Sequence, residues 1–479
     1  MKHAGVLFGA VALIALGFAV GCAINPVTGK RELSLVSSQQ ELQIGKDGYQ
    51  AVLREYGAYD DAKLAAYVDT VGRRIAAVSH IPQLDWHFTL LDDPVVNAFA
   101  MPGGYIYITR GILAHLNSEA QLAGVLGHEC GHVTARHTAQ QITKQQIAGI
   151  GLGVASLVSP GLQRYGGAAQ QALGLLFLKY SRDDETQADE LGVEYATKAG
   201  YDSREIPLTY VMLRRVGEQA GQRIPAFLST HPDPGNREER TRELATAATA
   251  GKSGLVIRSR DYVRRLDGLV FGNDPRQGYF EGTRFVHPTL AFEITFPQGW
   301  QTQNTREAVQ AGASDQSGAM QLTLVEAKGM SPEGYVAELQ RGQRIVAANG
   351  GRESIGGYPA WTGVLTVTGS DGAPASLFAA FIQKSDQQLV QILGQGADDR
   401  AFMAAARTFR GIADPSKLPT DPARVKVVTL DSSGPFQQVV SQLGPQALGP
   451  DPTSILNNVE LDEAVAQGTL LKIVRKGGR

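Results

Sequence analysis

The chain of 479 residues is long enough for two or three domains and at least one substantial core. Its net charge of −2 and 43% hydrophobic content are ordinary for a globular protein and exclude the basic footprint of a nucleic-acid binder. Its two cysteines, Cys22 and Cys130, argue against a disulfide framework.

Lys2 precedes an uncharged apolar run from Ala4 to Val20, and Gly21-Cys22 follows. A basic start, an apolar stretch and small residues before a cut describe a secretory signal over residues 1–21. A cysteine at that place resembles the lipobox of bacterial lipoproteins. That resemblance implies cleavage before Cys22, a lipid anchor on it and, with Ala23 rather than Asp next, an outer-membrane address. The competing reading is an uncleaved membrane-spanning helix, since Ala4 to Ile24 is just long enough.

Residues 22–36 read as a tether. Ser38 with Glu41 suggests a capping box that opens a helix to about Glu55, and a second helix runs from Asp61 to Val78. Leu84 to Leu91 reads as a strand. Ala98–Met101 and Tyr105–Thr109 read as two extended runs around Pro102-Gly103-Gly104, a segment that offers an edge strand to which an extended substrate can add through its backbone, or an ordinary core hairpin, or both. Ser118 and Gln121 open the next helix. The apolar, Gly-rich stretch 146–178 reads as a helical hairpin, with a membrane-dipping segment as the other reading. Helices follow over Arg182–Ala199, after Ser203, and over Arg237–Ala248. Residues 251–282 connect to an α+β region over 283–412, where Trp300 and Trp361 read as core. The tail, 424–479, has strand, helix, helix, strand character.

The chemistry concentrates in His128-Glu129-Cys130-Gly131-His132. Residues four apart share one helix face, so both histidines can bind one ion, and neutral imidazole suits zinc. Glu129, beside the first ligand, can take a proton from a water held by the ion. A catalytic zinc site needs a third ligand. Glu185, in Asp183-Asp184-Glu185-Thr186-Gln187-Ala188-Asp189, is the best candidate, with Asp189 one turn on to accept the second N–H of a ligand histidine. Taken alone, that acidic run would read as a helix N-terminus favoured by the dipole. His137 lies off the ligand face, and Cys130 reads as a small packing residue.

Four segments together resemble the M48 metallopeptidases of the gluzincin group: Asn97 to Gly104, His128 to His132, Glu185 to Asp189, and Ser229-Thr230-His231-Pro232-Asp233-Pro234. The resemblance covers roughly 37–245 and implies one zinc per chain held by His128, His132 and Glu185, with Glu129 as the base. It gives Asp189 a supporting or proton-donor role. His231 either stabilises the oxyanion, or occupies the open zinc position and keeps the enzyme latent, or is a loop residue; Arg237 either assists it or is solvated.

The expected architecture is α+β. A mainly helical, zincin-like peptidase domain with a small edge sheet spans 37–250, followed by the 283–412 domain. The tail is either a LysM-like module suited to peptidoglycan or a plain α/β docking domain. The expected function is hydrolysis of unfolded or misfolded envelope proteins by a lipid-anchored, periplasm-facing enzyme, with envelope assembly machinery or peptidoglycan as expected partners. The alternative is a non-enzymatic chaperone or assembly factor with a structural zinc.

Overall fold

A computed structural model describes residues 22–151, 174, 179–219, 226–231, 236–368, 373–396 and 399–477. The expected signal segment and most of the expected 146–178 hairpin lie outside the described residues. The fold is α+β.

Strands β1 (Cys22–Ile24) and β2 (Arg31–Leu33) pair antiparallel, with Cys22 opposite Leu33. The stretch expected as a tether is therefore a hairpin seated on the body. Asn25 donates to the Ala135 carbonyl at 3.1 Å, and the Leu35 amide donates to Thr143 Oγ1 at 3.0 Å. Helix α1 (Ser38–Tyr56) is capped one residue earlier than expected: Ser37 and Gln40 form the capping box. Glu41 instead accepts Arg136 at 2.7 Å. Helix α2 (Ala62–Ala76) is capped by Asp61, whose carboxylate accepts the Lys63 and Leu64 amides.

Strands β3 (His87–Leu91), β4 (Ala98–Met101) and β5 (Tyr105–Thr109) form a sheet in the order β3-β5-β4. Gly103 and Gly104, at φ 83° and 92°, make the turn that returns β5 against β4. All four residues of β4 are buried, so the edge expected to meet an extended substrate is covered.

Helices α3 (Arg110–His115), α4 (Glu119–Thr134), α5 (His137–Gly151), α6 (Arg182–Lys198), α7 (Ile206–Gln219), α8 (Ala226–Thr230), α9 (Arg237–Thr249) and α10 (Ser259–Arg265) complete this body. Helix α4 is buried along nearly its whole length, because α2, α6 and the sheet surround it. It packs on α6 through small residues. A Cβ at Gly127 would lie 3.1 Å from the Gly192 carbonyl, and one at Gly192 would lie 3.1 Å from the His128 amide nitrogen.

The next region is sheet-rich. Strands β6 (Tyr279–Glu281), β7 (Arg284–His287) and β8 (Phe292–Thr295) form a four-stranded sheet completed by a later strand at Arg410–Gly411. A seven-stranded antiparallel sheet spans residues 301–396, with helices Pro332–Arg341 and Asp399–Ala406 packed on it. Trp361 is buried in one of its cores, and Trp300 packs half-buried against Phe402. The edge strand Ala347–Ile355 went unread, since Ala-Ala-Asn-Gly-Gly carries no alternation. It forms because the full-length ladder with Tyr358–Thr368 satisfies its backbone.

The tail does run strand, helix, helix, strand, with Arg424–Thr429 paired antiparallel to Leu470–Arg475. It is not detached. Its Val425, Leu456 and Val474 belong to the same apolar core as Leu126 and Ile112. Lys472 is fully buried and donates to the Ala114 and Leu116 carbonyls, each at 2.7 Å, satisfying the C-terminal end of α3. Among the described residues, no helix is long and apolar enough to cross a membrane.

The α4–α6 approach yields a first expectation. Gly192→Val should cost about 1–3 kcal/mol by overpacking and should lower metal content, because it forces Glu185 away from His128. Urea unfolding midpoints and metal analysis of the purified variant check it.

Candidate active site

Helix α4 places His128 and His132 one turn apart on the side facing α6, and α6 presents Glu185 and Asp189 one turn apart toward them. Ser181 and Asp184 form a capping box at the start of α6, which seats Glu185 in the first turn. His128 Nε2 and His132 Nε2 lie 3.0 Å apart. The Glu185 carboxylate is 3.6 Å from each of them. His231, at the end of α8, joins the group: its Nδ1 is 3.0 Å from Glu185 Oε1 and 3.4 Å from His128 Nε2. One ligand atom from each of His128, His132, Glu185 and His231 lies within 4.8 Å of the others, and all four residues are buried.

This donor set fits a metal ion. Among the described residues, Glu185 Oε2, His231 Nε2 and both carboxylate oxygens of Glu129 are buried with no hydrogen-bond partner, and lone pairs so crowded and dry need a cation to face. Glu129 projects from α4 with its Oε1 3.7 Å from His231 Nε2. Burial raises the Glu129 carboxyl above its usual range. Burial drives His132 well below the usual imidazole value, which keeps it neutral and able to ligate. His231 is raised despite burial, because Glu185 and Glu129 flank it.

Asp189 is the hub beneath this cluster. Its Oδ1 lies 3.0 Å from His128 Nδ1 and accepts from Tyr210 Oη at 2.6 Å and Arg237 Nη2 at 2.6 Å. Its Oδ2 accepts from Arg237 Nε at 3.0 Å and Arg240 Nη2 at 2.6 Å. Although burial opposes ionisation, Arg237 and these donors hold Asp189 below the usual carboxylate range. Arg237 Nη1 also lies 2.9 Å from Glu185 Oε2, off the hydrogen-bonding line.

Three features depart from the sequence reading. Arg237 is not solvated: it is 2% exposed at the N-terminus of α9, with its guanidinium 4.6 Å from the Tyr210 ring centre. Tyr210 was not singled out, and no local pattern marks it. His137 is outside the group of convergent ligand atoms, in keeping with its reading as off the ligand face, but its Nδ1 lies 2.9 Å from His132 Nδ1, a contact that reading did not include. His128, His132, Glu185 and His231 lie together with Glu129 and Asp189 beside them, and Cys130 is buried in the core. The residues flanking His231, 232–235, lie outside the described residues.

The family model of peptidase family M48 matches residues 62–245. The chain is 32% identical over 224 residues to mitochondrial metalloendopeptidase OMA1 of Schizosaccharomyces pombe, covering 46% of this chain and 65% of that protein. It is 36% identical over 186 residues to the Arabidopsis thaliana protein of the same name, covering 38% of this chain and 36% of that protein. It is 29% identical over 262 residues to the beta-barrel assembly-enhancing protease of Escherichia coli, covering 52% of each. The chain thus spans between 36% and 65% of the length of these relatives. The solved structure of cyanobacterial PsbP from Synechocystis aligns with 28% of this chain and 94% of its own, at 15% identity and a TM-score of 0.21, too slight a likeness to assign a fold.

Removing the charge of Asp189 strands Arg237 in the interior. Asp189→Asn should cost about 3–5 kcal/mol. Because the folded Asp189 is held below its unfolded value of about 4, the wild-type advantage should be complete above that pH and lost as the pH falls through the folded value. Denaturant unfolding of both metal-free proteins across pH measures it.

Proposed function

With residues 62–245 a peptidase family M48 match, we propose that this protein is a zinc-dependent endopeptidase acting on unfolded or misfolded proteins of the cell envelope. The observation that carries the reading is Glu129. It is a fully buried carboxylate without a hydrogen-bond partner among the described residues, next to a ligand histidine and within 3.7 Å of His231. A structural metal site has no use for such a group.

His128, His132 and Glu185 would hold the ion, which when bound supplies Lewis acidity toward a peptide carbonyl. Glu129 takes the proton of the attacking water, then returns it to the nitrogen of the departing amine as the C–N bond breaks. Its raised affinity for a proton suits both halves of that transfer. Asp189 orients His128 by accepting from its Nδ1, and Arg237 and Tyr210 hold Asp189 in place.

The described arrangement favours latency. His231 stacks on Phe227 with ring centres 4.5 Å apart and sits between Glu185 and Glu129, where a scissile carbonyl would have to enter. His231 is therefore the reading's fourth ligand and the group that must withdraw. The buried β4 edge agrees, since an extended substrate needs that edge open.

The envelope setting draws on the residue pattern around Cys22 and on the relatives named for beta-barrel assembly. A lipid on Cys22 would hold the body at the outer membrane, facing the periplasm, where assembly machinery or peptidoglycan could meet the C-terminal half.

Glu129→Gln should lower cleavage of an unfolded test protein by about 100-fold or more while zinc content stays equal. Full activity in that variant, or full complementation of a deletion strain by it, would favour the chaperone with structural zinc instead. His231→Ala should raise the cleavage rate above wild type if the latency reading is right; an unchanged or lower rate would make His231 a participant in catalysis.

A further inference from the structure

We propose that His137 and Gln187 form a hydrogen-bonded relay that fixes the tautomer of His132 and so sets how tightly the site holds its metal; this rests on reading His128, His132 and Glu185 as the ligands. The placement begins with a backbone break. Arg136 adopts φ 59° between α4 and α5, and its side chain is pinned by Glu41 at 2.7 Å and by the Val36 carbonyl at 3.0 Å. The chain folds back at that point, and His137, five residues past His132, faces it instead of continuing around the helix.

His137 Nδ1 lies 2.9 Å from His132 Nδ1, and its Nε2 lies 2.9 Å from Gln187 Oε1. Both imidazoles are 1% exposed, and their planes are inclined at 74°. Two ring nitrogens this close share one hydrogen. A His132 that ligates through Nε2 must be bare there, so its proton sits on Nδ1 and is donated to His137 Nδ1. His137 then carries its own proton on Nε2 and donates it to the Gln187 oxygen. Every atom in the row has one role, and the lone pair that emerges is the one aimed at His128 and Glu185.

The opposite setting is equally well defined. If the Gln187 amide turned its NH2 toward His137, every hydrogen in the row would reverse. His132 would then present Nε2–H to the metal position. One amide rotamer is thereby coupled to metal competence, because glutamine can serve as donor or acceptor. The two histidine ligands are also supported unequally: His128 leans on the Asp189 carboxylate at 3.0 Å, whereas His132 leans on a neutral row. His137 and Gln187 are positioning residues, acting through His132.

The test is zinc affinity of the purified full chain, read by competition with a chromophoric chelator. Circular dichroism and the metal-free unfolding midpoint are recorded for each variant. His137→Phe, which keeps the bulk and loses the acceptor, should weaken zinc about 10–100-fold. His137→Asn, whose amide oxygen can stand where Nδ1 stands, should restore most of that loss. On the half-buried partner, Gln187→Glu can only accept and should hold zinc at least as tightly as wild type. Gln187→Met, similar in shape but without an acceptor, should loosen it. The relay is overturned if folded His137→Phe and His137→Asn lose affinity equally, or if Gln187→Glu and Gln187→Met behave alike. A wild-type chain that binds no zinc would instead overturn the ligand reading, and the relay with it.

Discussion

The close approach of α4 and α6 is the constraint on which the site depends. Two histidines on one helix and a glutamate on another can share an ion only if the helices nearly touch. Gly127, Gly131, Ala188 and Gly192 permit that contact: a Cβ on Gly131 would sit 3.1 Å from Leu191 Cβ and 3.2 Å from Ala188 Cα. Larger residues there would move the axes apart by more than any ligand side chain can recover. Backbone proximity thus sets the spacing of the donors, and the side chains only finish it.

That proximity has an electrostatic cost. Glu129, Glu185, Asp189, Arg237 and three histidines are all excluded from water within one small volume. Such a collection is tolerable only when each charge faces its opposite. Arg237 answers Asp189 and Glu185 from below, Arg240 closes the remaining Asp189 oxygen, and the ring of Tyr210 covers the guanidinium. The upper face, made of ligand lone pairs, is the part left for a cation. The network therefore has a sealed side that fixes geometry and an opposite side reserved for chemistry.

How much of this was legible follows from which links are local. His128, Glu129, His132, Glu185 and Asp189 could be read because a helical repeat puts residues four apart on one face, and that periodicity survives in the sequence. His231 could be located through its surrounding motif, but that it meets the other three residues, with its Nδ1 3.0 Å from Glu185, is a matter of tertiary packing. Arg237, Tyr210 and His137 were misread or missed because each reaches the site from a different helix, by tertiary packing that no spacing encodes. The strand Ala347–Ile355 failed for a different reason: its partner supplies the order that its own residues lack. The hairpin at 22–33 was taken for a tether because its polar residues look solvated, whereas Asn25 and Glu32 spend their hydrogen bonds on the body.

Lys472 has a consequence for how the molecule comes into being. Its ammonium closes the end of the short helix before α4, across a sequence separation of 358 residues to Ala114. Ribosomes deliver the body that holds α3 and α4 well before the strand Leu470–Arg475. Until that strand emerges, two carbonyls at the base of the metal helix lack their donor, and Val425, Leu456 and Val474 are missing from the shared core. The body that carries His128 and Glu185 thus completes its interior only after that strand has been made. A chain interrupted before Leu470 would carry His128 and His132 on an unfinished foundation, an arrangement that ties the maturity of the site to a residue 358 positions beyond Ala114.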